Sequence, residues 1–385
     1  MRRFPTELIP GYIRAIRPYM PGKPIEEAER ELGMRVIKLA SNENPLGPSS
    51  LAVTAARAAM AATNRYPDGG GFYLRTALAR CHNLPETQIA LGCGSSDLID
   101  LASRVFVQAG DEGIISRGTF PLYEIAIRGV GASPVETPLR EFGYDLAAMA
   151  AAVTPRTRII YLANPNNPSG TMFTAGEFAR FLEDIPESVL VVLDEAYFEY
   201  VECADYSRSL DLVREGRNLL VLRTFSKVYG LAGMRIGYGM GPAKLIEQID
   251  KIRLPFNTSD VAQAAAIAAL DDHEHVRRSI ESNRAGLRQL ESSLVEMGVS
   301  YVPSVANFVL VHLPTDPANV ITQLLQHGVI VRPMGWMGFP DAIRVTVGTA
   351  EENSQFLRAF EDVVTAGKAA ATKTSAGAGK GQRRA

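Results

Sequence analysis

The stretch Thr157-Arg158-Ile159-Ile160-Tyr161-Leu162-Ala163-Asn164-Pro165-Asn166-Asn167-Pro168-Ser169-Gly170 changes character halfway. Its first half is apolar and β-branched, and its second half is made of amides, prolines and glycine. Such a run reads as a buried strand that ends in a polar loop. Working outward, similar short apolar runs recur at 88–91, 113–116, 132–135, 189–193, 218–222 and 235–239. Amphipathic stretches such as 97–106, 121–130 and 175–182 lie between them. This alternation predicts an α/β fold of βαβ units, a mostly parallel seven-stranded sheet flanked by helices.

From about residue 261 the pattern changes to a long helical segment over 261–297, short strands at 308–312 and 343–347, and a helix over 350–364. A second, smaller α+β domain is expected there. The expected organisation is an N-terminal segment 1–40 joining the small domain, a large domain 41–270, a small domain 271–365 and a disordered tail 366–385. No internal repeat is visible.

At 385 residues, with 46% hydrophobic and 21% charged, the composition excludes wholesale disorder and a small disulfide scaffold. Forty Lys+Arg against 42 Asp+Glu leaves a net charge of −2, so no overall field favours nucleic acid or an acidic membrane. The tail carries five basic residues (Lys368, Lys373, Lys380, Arg383, Arg384) and no acid, which leaves −7 on residues 1–365. Cys81, Cys93 and Cys203 form no C-x-x-C pair, so neither a disulfide framework nor a zinc site is indicated and a reducing cytoplasm fits. No signal peptide or membrane span is read, and the sequon at Asn257-Thr258-Ser259 is then idle.

In open parallel sheets, ligands sit beyond the carboxyl ends of the strands. Here those ends are polar: Asn164 to Gly170, Asp194-Glu195-Ala196-Tyr197 and Arg223-Thr224-Phe225-Ser226-Lys227 follow three successive strands. They aim an amide, a carboxylate and an amine at one crevice. A fourth strand runs into Gly92-Cys93-Gly94-Ser95-Ser96-Asp97 before a helix, and free N–H groups at a helix start suit a phosphate. Taken alone, Gly-Ser there is an ordinary cap and Lys227 an ordinary surface lysine. Together, an amine, an acid and an anion cradle meet the needs of pyridoxal 5'-phosphate. Asp271-Asp272-His273-Glu274-His275 is better read as an acidic helix turn than as a metal cluster, since histidines two apart diverge on a helix. Gly237-Tyr238-Gly239-Met240-Gly241 and Gly379-Lys380-Gly381 lack the spacings for dinucleotide or ATP binding.

Asn167-Pro168-Ser169-Gly170, Asp194-Glu195-Ala196-Tyr197, Ser226-Lys227 and Gly233-Met234-Arg235-Ile236-Gly237-Tyr238 resemble the motif series of fold-type I, class I/II aminotransferases, over about residues 10–364. Within that class, the stretches 17–24, 39–47, 65–69 and 343–349 are similar to histidinol-phosphate aminotransferases. The resemblance implies that Lys227 is the Schiff-base lysine and proton shuttle. Asp194 would hold the pyridine nitrogen, and Asn167 and Tyr197 the ring 3-oxygen. Ser95, Ser96, Ser226 and Arg235 would hold the phosphate, with Tyr66 reaching it from the partner subunit of a homodimer. Tyr123 is the favoured ring-stacking aromatic, with Phe120 as the alternative. Arg344 would clamp the substrate α-carboxylate through a bidentate fork, while Tyr19 and Arg332 line the side-chain pocket and Asn42 also binds substrate. Cys93 departs from the Asn or Ala expected between those glycines. The implied reaction moves an amino group from histidinol phosphate to 2-oxoglutarate, giving imidazole acetol phosphate and glutamate. Rival readings are an aromatic amino acid aminotransferase and a related phospho-amino-acid decarboxylase. A PLP-dependent transcription regulator would need a helix-turn-helix module, for which no stretch remains.

Overall fold

The computed structural model describes residues 6–378, with side chains as far as 366. The apolar runs form one seven-stranded sheet in the order Ile89–Gly92, Gly237–Met240, Leu219–Thr224, Leu190–Asp194, Thr157–Ala163, Glu112–Ser116, Ser133–Thr137. Gly237–Met240 runs antiparallel to both neighbours, and the other strands pair in parallel. Side chains alternate across a strand, so each run feeds two cores. Ile160, Leu162, Val191, Leu193 and Val221 pack on one face, and Ile159, Tyr161, Val192, Leu220 and Leu222 on the other. Both faces are covered by helices, which is why these strands are apolar at nearly every position.

Register decides what the strand ends present. Ala163, Asp194 and Leu222 lie abreast, as do Gly92, Gly237 and Thr224. The polar residues that follow them therefore emerge along one rim. Arg235 and Ile236, expected in the last strand, precede it, and Arg235 takes a left-handed backbone (φ 53°) in the turn leading in.

The five-stranded sheet has the order Ile37–Leu39, Val329–Pro333, Ala342–Thr346, Phe308–His312, Tyr301–Val302. Ile37–Leu39 joins it in parallel beside Val329–Val331. Its own core includes Val309, Val311, Ile343, Val345, Phe356 and Phe360. The helical stretch expected over 261–297 is two helices, Asp260–Asp271 and His273–Glu296. Asp272 separates them: its carboxylate accepts the His275 N–H at 3.0 Å as an N-cap and the Ser49 hydroxyl at 2.5 Å. The final helix spans Ala350–Ala378 and so runs on into the stretch 366–378 expected to be disordered. Alanine-rich sequence favours that continuation. The rest of the expected tail, 379–385 with Lys380, Arg383 and Arg384, lies outside the described residues, as do residues 1–5. No helix among the described residues is long and apolar enough to cross a membrane, and no cluster of His, Cys, Asp and Glu there could hold a metal.

Candidate active site

The strand ends and the five-stranded sheet enclose a cavity of about 290 Å³. Every site residue expected from the sequence lines it except Tyr66. Asp194 lies at its base, buried, with Oδ2 accepting the Tyr123 hydroxyl at 2.9 Å and Oδ1 accepting the Ala196 N–H at 3.1 Å. Burial pushes this carboxyl up to about 6, against the pull of those two hydrogen bonds. Lys227 faces the same space. Burial and the nearby Arg344 bring its amine down to about 8. Among the described residues nothing forms a hydrogen bond or ion pair with its Nζ, which lies 5.6 Å from the centre of the Tyr197 ring.

Tyr197 is fixed in turn by Asn42, whose Nδ2 donates to its hydroxyl at 2.8 Å. Asn42 is buried in a left-handed conformation (φ 55°), and its Oδ1 accepts the Thr346 hydroxyl at 3.2 Å. Both ends of the Asn42 amide are thus engaged within the protein, where it holds the Tyr197 hydroxyl while lining the cavity. Tyr123 and Phe120 both line the cavity. One face of the Tyr123 ring is stacked on Tyr161 at 5.0 Å, and the side chain is wholly buried with its hydroxyl committed to Asp194. Phe120 is half-buried on the cavity wall beside it.

The anion cradle is built from backbone. Ser95 begins the helix Ser95–Phe106, and no side chain caps that end, so its first N–H groups remain available at the cavity. Gly237 on the adjoining strand packs directly on this end: a Cβ there would stand 2.5 Å from the Ser95 nitrogen and 2.7 Å from the Gly94 carbon. Arg235 reaches across the gap, donating to the Ser226 hydroxyl and the Cys93 carbonyl, each at 3.4 Å. The Cys93 N–H is held by Asp97 at 2.9 Å, so this residue serves through its backbone and its unusual side chain points outward, exposed.

At the other end Arg332 and Arg344 stand directly opposite each other on adjacent antiparallel strands, both buried. Arg344 donates to Asn167 Oδ1 and, at 2.9 Å, to the Ala40 carbonyl. Its Nε is buried without a partner among the described residues. Arg332 donates to the Met20 carbonyl. Among the described residues neither guanidinium has a carboxylate partner. Like charges placed opposite each other oppose folding, and burial with Arg332 beside it lowers the affinity of Arg344 for its proton. Two buried guanidiniums side by side, with no carboxylate partner among the described residues, are an arrangement that can receive an anion.

Glu43, Thr224 and Phe120 also line the cavity. Glu43 lies in the quoted motif at 39–47 and was given no role from sequence; it acts electrostatically on Lys227 and pairs with Lys38 at 3.5 Å. Tyr66 stands apart, 81% exposed and stacked on Phe256 at 4.7 Å.

A sheet whose strand ends carry an unengaged amine, a buried acid and a backbone anion cradle defines a class, and the family model for aminotransferase class I and II matches residues 34–360. The chain belongs to that family. It is 49% identical over 359 residues to histidinol-phosphate aminotransferase 1 of Nitrosococcus oceani, covering 93% of this chain and 97% of that protein. It is 46% identical over 354 residues to histidinol-phosphate aminotransferase of Moorella thermoacetica, covering 91% and 92%. The crystal structure of histidinol-phosphate aminotransferase from Sinorhizobium meliloti in complex with pyridoxal-5'-phosphate matches with a TM-score of 0.85 at 30% identity, over 92% of this chain and 97% of that one.

Proposed function

We propose that this chain transfers the amino group of histidinol phosphate to 2-oxoglutarate, with pyridoxal 5'-phosphate as cofactor, yielding imidazole acetol phosphate and glutamate. One observation carries the substrate reading: two buried arginines face each other with no carboxylate partner among the described residues. A phosphate monoester and a dicarboxylate are the kinds of ligand that relieve such a pair, and the two half-reactions supply one each.

The residues present fit the cofactor, because the amine lacks an internal partner and the cradle is closed by Gly237 where a side chain would intrude. Pyridoxal phosphate, when bound, supplies an electron sink for charge developing at the donor carbon. Ser95, Ser96, Ser226 and Arg235 would hold its phosphate, and Asp194 its ring nitrogen. Phe120 would cover the ring, in place of Tyr123, whose hydroxyl instead steadies Asp194. Lys227 would anchor it and, with its proton affinity lowered by burial, take the proton from the donor carbon and return one on the cofactor side. Arg344 and Arg332 would bind the donor phosphate and then the acceptor carboxylates. The active unit in this reading is a homodimer: Tyr66, Phe72 and Tyr73 are exposed by 81%, 58% and 72%, more aromatic surface than a free monomer commonly shows.

Replacing Arg344 with Gln tests the anion reading. A buried charge left without its partner costs about 2 to 5 kcal/mol, so kcat/KM for histidinol phosphate and for 2-oxoglutarate should each fall about thirtyfold or more. A variant within a few fold of wild type in both half-reactions would remove Arg344 from the site.

A further inference from the structure

The chain has a single tryptophan, Trp336, and the reaction as described does not use it. It lies half-buried on the turn Gly335–Met337, next to the strand that carries Arg332. Its Nε1 donates to the Pro333 carbonyl at 3.2 Å, and its neighbours Met334 and Met337 are buried against Val302 and Leu310. The indole is therefore seated on the small domain. Its ring centre lies 5.2 Å from the Arg332 guanidinium carbon, and the Tyr19 ring lies 5.6 Å from the same carbon. Tyr19 and Trp336 meet edge to face at 5.5 Å and 84°.

Arg332 is thus a buried cation with aromatic rings where a carboxylate partner would ordinarily be. An aromatic face favours a cation without neutralising it or occupying its N–H groups. Among the described residues, the Met20 carbonyl is the one hydrogen-bond acceptor on this guanidinium. The remaining donors stay free for a ligand. A carboxylate in the same place would hold the side chain as firmly but would compete with that ligand.

We propose that Trp336 is the positioning residue for Arg332, setting its guanidinium to receive the substrate's phosphate while leaving its charge unspent. The proposal rests on the reading of Arg332 as part of the substrate's anion site. Trp336 itself touches no reacting atom in this account; it acts on binding, through Arg332.

Two measurements on the holoenzyme test it. The first replaces Trp336 with Leu, which keeps bulk and removes the aromatic face, and with Phe, which restores a weaker one. Loss of a desolvated cation–aromatic contact corresponds to about a fivefold to thirtyfold change in binding. KM for histidinol phosphate should rise by that factor in Trp336→Leu with kcat within about twofold, and Trp336→Phe should recover part of the loss. The second follows tryptophan emission of the wild-type holoenzyme during titration with inorganic phosphate. A saturable change is expected, and it should vanish in Arg332→Gln, which keeps Trp336. An unchanged KM in Trp336→Leu, a fall in kcat alone, or an emission response that survives in Arg332→Gln would overturn the proposal. If Trp336→Leu fails to fold, the emission titrations decide alone. Failure of wild type to turn over histidinol phosphate would instead refute the underlying function.

Discussion

Asp194 and Lys227 are held in states that the cofactor-free fold disfavours. Burial raises the Asp194 carboxyl from its ordinary 3.8 to about 6, so the folded chain binds that proton more tightly than the unfolded chain. The resulting destabilisation is absent below the lower value, grows between the two and is complete above about 6. Asp194→Asn removes it. The cofactor-free variant should therefore be more stable than wild type at pH 8, by about 1 to 3 kcal/mol, and no more stable at pH 4. Its transaminase activity should fall about a hundredfold or more if Asp194 holds the ring nitrogen as proposed, because that fixed charge is gone. Melting curves across pH together with kcat check both signs, and a variant that loses stability at pH 8 would show that Asp194 is structural. Both residues could be picked out in sequence because Asp194 ends its strand and Lys227 lies three residues beyond the end of its own. The Arg332 contacts were not: Met20 and Arg332 lie 312 positions apart, and no local pattern joins them. The choice between Tyr123 and Phe120 as the stacking aromatic was open for a similar reason, since only the fold shows that Tyr161 covers one face of Tyr123.

Among the elements, the strand Gly237–Met240 packs tightly on the start of the helix Ser95–Phe106 at the rim of the cavity. The atoms that a Gly237 side chain would strike belong to backbone and cannot swing aside. Gly237→Ala should displace the helix end that forms the anion cradle. Overpacking of about 1 to 3 kcal/mol translates into about a fivefold to hundredfold loss of cofactor affinity. Titration of the cofactor-free variant with pyridoxal phosphate measures this, and unchanged affinity would separate the helix end from phosphate binding. Strand positions were readable because apolar runs between polar loops have few alternatives. Two helix boundaries were not. The break at Asp272 depends on Ser49, distant in sequence, which donates to its carboxylate, and the last helix extends where charge and small residues suggested disorder.

On the scale of the whole molecule, one chain accounts for every expected residue of the cavity but Tyr66. That residue stands exposed beside Phe256, and the proposed homodimer would carry it to the partner's phosphate cradle. Mixing Tyr66→Ala with Lys227→Ala, each inactive alone, should then restore activity, up to about a quarter of the wild-type sites after random exchange of subunits. No recovery after verified exchange would place the whole site within one chain. A position that acts only across an interface leaves no trace in one chain's own pattern, so Tyr66 was reached by resemblance alone. The central claim, that the two buried arginines select a phosphate-bearing donor, meets its most direct test in a single half-reaction of the purified holoenzyme. Loss of the visible absorbance of the lysine-bound cofactor is followed as histidinol phosphate or phenylalanine is added, without an amino acceptor. The account predicts a larger apparent second-order rate constant for histidinol phosphate; a larger constant for phenylalanine would contradict it and make the chain an aromatic amino acid aminotransferase.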